Sequence, residues 1–193
     1  MKDILALITK SYSPEEADHF ASHKITTTEL DRVIEAGRKV LDIFPHRPFC
    51  CTYMSAYWAA ILRDNFNIPA HVVVGSLTFK QRKIFGGDFT AKSLNDAFLN
   101  SDTPNNLDVH CWIIIGDHIG DISFFRTAYS QNTNKWLKSE TINTFGEGRG
   151  IILGTSEQLL QNALTYNPIY ILTDMQITGL CKATELIIRN SII

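Results

Sequence analysis

The chain has 193 residues, 45% hydrophobic and 20% charged, the make-up of a soluble globular domain long enough for a sizeable core. Its 18 Lys and Arg are scattered among 20 acids, for a net charge of −2, which leaves no electrostatic case for nucleic acid. No apolar run approaches the roughly 20 residues that span a bilayer, and "MKDILALITKSYSPEE" lacks the cleavage site of a secretory leader. The expectation is a cytoplasmic protein, off the membrane, with Cys50, Cys51, Cys111 and Cys181 reduced.

Residues 1–45 read as helical. "SPEE" at Ser13–Glu16 offers a Ser cap, Pro at the first helical position and Glu three residues after the cap. A third helix is predicted from about Thr28, with Leu30, Val33, Ile34, Val40, Leu41 and Phe44 at helical spacing. "PHRP" at Pro45–Pro48 stops it. A mostly buried helix then starts near Cys51, marked by Met54, Trp58, Ile61 and Leu62. Val72–Val74 predict a strand through the core. Residues 80–108 weaken into a polar stretch, read as an insertion or lid with one short helix around Leu94–Leu99. "DVHCWIIIGDHIGDIS" (Asp108–Ser123) reads as a strand, a tight turn and a second strand. Beyond it the elements blur: Arg126–Gly150 is polar and irregular, with a strand near Ile151–Leu153, a helix near Ser156–Leu164 and a C-terminal helix after it. The order predicts one α+β domain over 1–193, its helical N-terminal part packed on an antiparallel sheet.

The hairpin carries the chemistry. A turn at Gly116–Asp117 sets Trp112 opposite Asp121, and a turn at Asp117–His118 sets Ile114 there. In both registers Asp121 shares a face with His110 and Trp112, because strand side chains alternate with period two. A His–Asp pair so placed fixes the imidazole tautomer and stabilises its charged form. The pair lacks only a nucleophile, and "RPFCCTYMS" puts a cysteine at the first turn of a buried helix, where the helix dipole lowers a thiol pKa. Asp117 has a structural reason to sit in the turn. His118 and Asp108 are expected to be solvated, and Cys111, alternating away from His110, to pack in the core.

With these residues in view, the sequence resembles the transglutaminase-like superfamily of Cys-His-Asp cysteine enzymes. "CTYMSAYWAAILRDNFNIPAHVVVG" is similar to the superfamily's nucleophile helix and following strand, through Cys51, Ser55, Leu62, Arg63, Ile68, Pro69, Ala70 and Gly75. "HCWIIIGDHIGDIS" is similar to its His-x-Trp strand and the strand bearing Asp, through His110, Trp112 and Asp121. Asn67 stands where a glycine is usual, and the match covers only these two blocks. The small residue four positions on favours Cys51 over Cys50. The resemblance implies a papain/transglutaminase-like core and a catalytic set of Cys51, His110 and Asp121. It further implies a thioester intermediate on a protein, peptide or small amide substrate, with no metal or cofactor. The outcome is hydrolysis, deamidation or acyl transfer. Trp112 either walls the substrate site beside His110 or belongs to the core. The oxyanion hole is expected from the nucleophile's own N–H plus a second donor; His46, Arg47 and Tyr53 are near in sequence, and no pattern singles one out.

Three other readings use the same residues. A zinc site could draw on Cys50, Cys51, His110, Cys111 and His118, though adjacent ligands point apart and suit tetrahedral geometry poorly. An arylamine N-acetyltransferase-like enzyme also uses Cys, His and Asp, but "HRPFC" replaces that family's Arg-Gly-Gly before the cysteine. A binding protein that kept the fold is the third.

Overall fold

A computed structural model describes residues 2–46, 50–87, 90, 92, 108–130 and 133–190. Helices α1 (Lys2–Ser11), α2 (Pro14–Ser22) and α3 (Thr27–Ile43) form the N-terminal part. The Ser13 side chain accepts from the Glu16 N–H, with Pro14 at the first position. Thr26 and Glu29 cap α3 reciprocally, which satisfies two of its orphan N–H groups. Helix α4 (Cys51–Phe66) is buried on most sides. It ends at Asn67, which adopts the left-handed conformation (φ 52°), so Asn does there what glycine usually does.

Six strands form one antiparallel sheet: β1 (His71–Phe79), β2 (Arg82–Phe85), β3 (His110–Ile115), β4 (His118–Asp121), β5 (Ile152–Thr155) and β6 (Leu164–Ile171). Residues 73–75 of β1 pair with both β3 and β6, so these lie on opposite edges. Residues 77–79 pair with both β2 and β6. Strands β2 and β3 therefore follow one another along the same edge of β1, with β4 and β5 outside β3. Four helices complete the described residues: α5 (Phe124–Ala128), α6 (Lys135–Phe145), α7 (Ser156–Gln161) and α8 (Asp174–Arg189).

The sheet is covered on both faces. One core joins α3, α4 and α8 to Val72, Val74, Cys111, Ile113 and Ile115. The other joins α1, α2, α5, α6 and α7 to Val73, Leu77, Phe79, Trp112 and Ile114. An α+β chain with an antiparallel sheet is thus what forms, but the N-terminal helices do not pack as one layer. Helices α1 and α2 cover one face, while α3 lies on α4, whose Trp58 Nε1 donates to the Val33 carbonyl at 3.0 Å.

Three expectations change. Residues 80–85 are not loop: Lys80 and Gln81, both at positive φ (46° and 64°), make a two-residue turn into β2. Hairpins favour that backbone, normally advertised by Asn-Gly, and Lys-Gln hides it. Strand β6 is an addition where the sequence suggested a helix running to Leu164. Its Asn167-Pro168 reads as a breaker, but Pro168 sits opposite Gly75 at an irregularity in the ladder, where a missing N–H is tolerated. Arg126–Gly150 holds α6, capped by the Asn134 side chain, although its polar composition shows no clear apolar stripe. The helix predicted at Leu94–Leu99 lies outside the described residues. No helix among the described residues is long and apolar enough to cross a membrane.

Candidate active site

The hairpin takes the first of its two registers, with Ile113 opposite Gly120 and Ile115 opposite His118. His110 and Asp121 then lie diagonally on one face, and Asp121 Oδ2 is 2.6 Å from His110 Nε2. Both residues are buried, at 2% and 0% exposure. The carboxylate is saturated with donors. Oδ1 accepts from the Ser123 N–H (2.8 Å), the Ser123 hydroxyl (3.0 Å) and the Phe124 N–H (3.0 Å). Oδ2 also accepts from the Tyr166 hydroxyl at 3.0 Å. Burial raises the Asp121 pKa, but the His110 charge and hydrogen bond, with the Ser123 and Phe124 N–H groups, outweigh it and hold the group below its ordinary value. Burial likewise opposes charge on His110, and Asp121 and Cys51 together lift it to about 10. The pair is carboxylate and imidazolium at neutral pH.

Aromatic rings fix the imidazole. Phe85, the last residue of β2, stacks on it with centroids 4.9 Å apart. Trp112 and Tyr166 stand 6.0 and 6.2 Å away. Trp112 is 1% exposed and lies over Gly75, where an added Cβ would come within 2.7 Å of the indole and 2.1 Å of the Asn167 carbonyl oxygen. Gly75 therefore lets the indole approach the strand. On its outer side Trp112 lines a cavity of about 200 Å³ with Ile4, Ile114, Tyr166 and Pro168; Cys51, His110 and Asp121 are not in that lining.

Cys51 opens α4, with Cys50 as the N-cap and no side-chain cap bond. One turn on, the Ser55 hydroxyl donates to the Cys111 carbonyl at 3.0 Å and so seats α4 against the start of β3. Cys51 Sγ lies 3.8 Å from the Val109 carbonyl oxygen. His110 stands where β2 ends and β3 begins along β1, and there the thiol and the imidazole come within interaction range. The thiol pKa falls well below its ordinary value. The largest cause is a hydrogen bond from Cys111; burial acts against it, and the His110 hydrogen bond and charge reinforce it. Cys111 moves the opposite way, raised by burial and by Cys51.

The structure thus brings Cys51, His110 and Asp121 together. Asp117 is in the turn and bonds His118 Nδ1 at 2.7 Å. Asp108 is exposed. Cys111 packs in the core as expected, but its thiol also reaches the site. Cys181 is on α8, and burial raises its thiol to about 11. His46 is exposed, Tyr53 is buried, and Arg47 lies outside the described residues. Among the described residues no group of three or more His, Cys, Asp or Glu could hold a metal ion.

The sequence reading missed Tyr166, Phe85, Ser123 and Arg126. Asp-x-Ser at 121–123 is a local turn signal that could have marked Ser123. Tyr166 and Phe85 sit on the two unpredicted strands. Arg126 donates to the carbonyls of Leu41, Phe44 and Pro45, tying α5 to the segment before Cys50. Comparison with protein-family models, curated proteins and solved structures gives no match.

Proposed function

We propose that this chain is a cysteine-nucleophile enzyme of transglutaminase-like type, with a papain-like core, that transfers or hydrolyses an acyl group through a thioester. The observation that carries the reading is a thiol at the first turn of a buried helix beside a buried imidazole held at 2.6 Å by a saturated carboxylate. That is a nucleophile, an acid–base group and an orienting group in one place. The Cys51 thiolate attacks the carbonyl carbon of an amide. Asp121 occupies Nε2, which leaves Nδ1 of His110 to give its proton to the departing amine. Water or a second amine then takes the acyl group, and His110 accepts that nucleophile's proton. The Cys51 N–H, in a first turn whose N–H groups have no intrahelical acceptor, is the oxyanion donor this reading requires.

Two measurements test it. Iodoacetamide labelling of Cys51, followed by peptide mass spectrometry, is expected to be fast below pH 8 and slowed in His110→Ala. Intact-mass analysis with p-nitrophenyl acetate and with an acyl-glutaminyl peptide is expected to trap an acyl adduct on Cys51. Ordinary thiol kinetics unaffected by His110→Ala would overturn the reading.

A further inference from the structure

Cys111 has no part in acyl transfer, yet its thiol is placed beside the nucleophile. Thr52 Oγ1 lies 3.3 Å from Cys111 Sγ and 3.9 Å from Cys51 Sγ, bridging the two sulfurs. The Ser55–Cys111 bond holds the two backbones in register one turn along α4, and the Cys51 sulfur contacts the carbonyl of Val109, two residues before Cys111. The two thiols differ in access: Cys51 keeps 9% of its surface exposed and Cys111 none. A small oxidant therefore meets Cys51 first, and Cys111 is reached only from within.

We propose that Cys51 and Cys111 form a reversible disulfide, in which hydrogen peroxide oxidises Cys51 and Cys111 resolves it, so that the nucleophile is masked rather than destroyed. The Cys51 sulfur attacks one peroxide oxygen and the O–O bond breaks. The departing hydroxide takes the His110 proton and leaves as water. Cys51 is now a sulfenic acid. The Cys111 sulfur attacks Cys51 Sγ, the S–O bond breaks, and the hydroxide leaves with the Cys111 proton as a second water. Two thiol sulfurs have lost two electrons and the peroxide has gained them. A low-pKa cysteine next to a resolving thiol has the arrangement of reversible thiol sensors, and without a resolving partner oxidation proceeds to irreversible acids.

The proposal rests on Cys51 being a thiolate, and its test reads the disulfide apart from acyl chemistry. The reduced full-length chain is treated with hydrogen peroxide, digested without reductant and mapped by mass spectrometry. The expected result is a Cys51–Cys111 linked peptide, loss of two of the four free thiols, and their recovery with dithiothreitol. In Cys111→Ser the Cys51 peptide should instead accumulate sulfinic acid that dithiothreitol does not reverse. The wild-type map alone decides the matter if that variant does not fold. A Cys50–Cys51 link, sulfinic acid at Cys51 in the wild type, or no oxidation would each overturn the proposal. A linked peptide in a chain that never takes an acyl group would sink the enzymatic reading and leave the disulfide standing.

Discussion

Two buried histidines, each with a carboxylate close by, show how little distance alone decides. His110 is 2.6 Å from Asp121 and is lifted to about 10. His71, at the start of β1, is 3.0 Å from Glu16 and is pushed down to about 4, by burial first and the Arg63 charge next. Neither ring nitrogen of His71 completes a hydrogen bond; its ring is instead flanked edge-on by Tyr12 and Phe20. Asp121 is itself buried and held by four further donors, whereas the Glu16 side chain is 29% exposed and solvated. Of the two rings, the one that keeps its proton faces a carboxylate that is itself buried and held by further donors, while the other meets burial and the Arg63 charge with no such partner.

The strongest way to break this contrast is Asp121→Asn, which should make His110 resemble His71. Labelling of Cys51 at pH 6 should fall about 100-fold, the low end for a positioned acid–base group. Denaturant unfolding should show a loss of about 3–5 kcal/mol, the usual cost of orphaning one partner of a buried pair. Unchanged labelling would show that His110 does not need the carboxylate.

The two histidines should also tilt stability in opposite directions with pH. The folded pKa of His71 is depressed, so the unfolded chain takes that proton first, and stability falls by up to about 3 kcal/mol as pH drops from about 6.5 towards 4. The folded pKa of His110 is raised, so its contribution is complete below about pH 6.5 and is lost as pH climbs towards 10. Unfolding midpoints across pH should flatten on the acid side in His71→Gln and on the alkaline side in His110→Gln. An acid limb unchanged in His71→Gln would mean that His71 keeps its proton in the folded chain.

The smallest effect sharpens the contrast. Tyr166→Phe removes one of five donors from Asp121 and should cost about 1–2 kcal/mol by denaturation, with less than about a tenfold change in Cys51 labelling, since the other donors stay. A loss as large as that of Asp121→Asn would make Tyr166 essential to the pair.

What the sequence revealed followed from periodicity and caps. The α4 start, the β3–β4 hairpin and the shared face of His110 and Asp121 rest on repeats of 3.6 and 2. The β1–β2 hairpin and β6 stayed hidden because their signals were atypical: Lys80-Gln81 in left-handed backbone, and a proline inside a strand. Because Phe85 and Tyr166 lie on those two strands, the aromatic and hydroxyl support around the pair was illegible as well. The contact of Cys111 with Cys51 depends on how α4 seats against β3, and no local pattern encodes that.

Phe85 ends β2 and His110 begins β3, and the two residues touch. Just beyond these two strand ends the Gly87 N–H donates to the Asp108 carbonyl at 2.8 Å. The end of β2 and the start of β3 are therefore tied together by backbone as well as by the rings. The bond and the ring stack brace the end of β3 that carries His110 from outside the β3–β4 hairpin, so a change at Phe85 or Gly87 reaches the imidazole without touching its carboxylate.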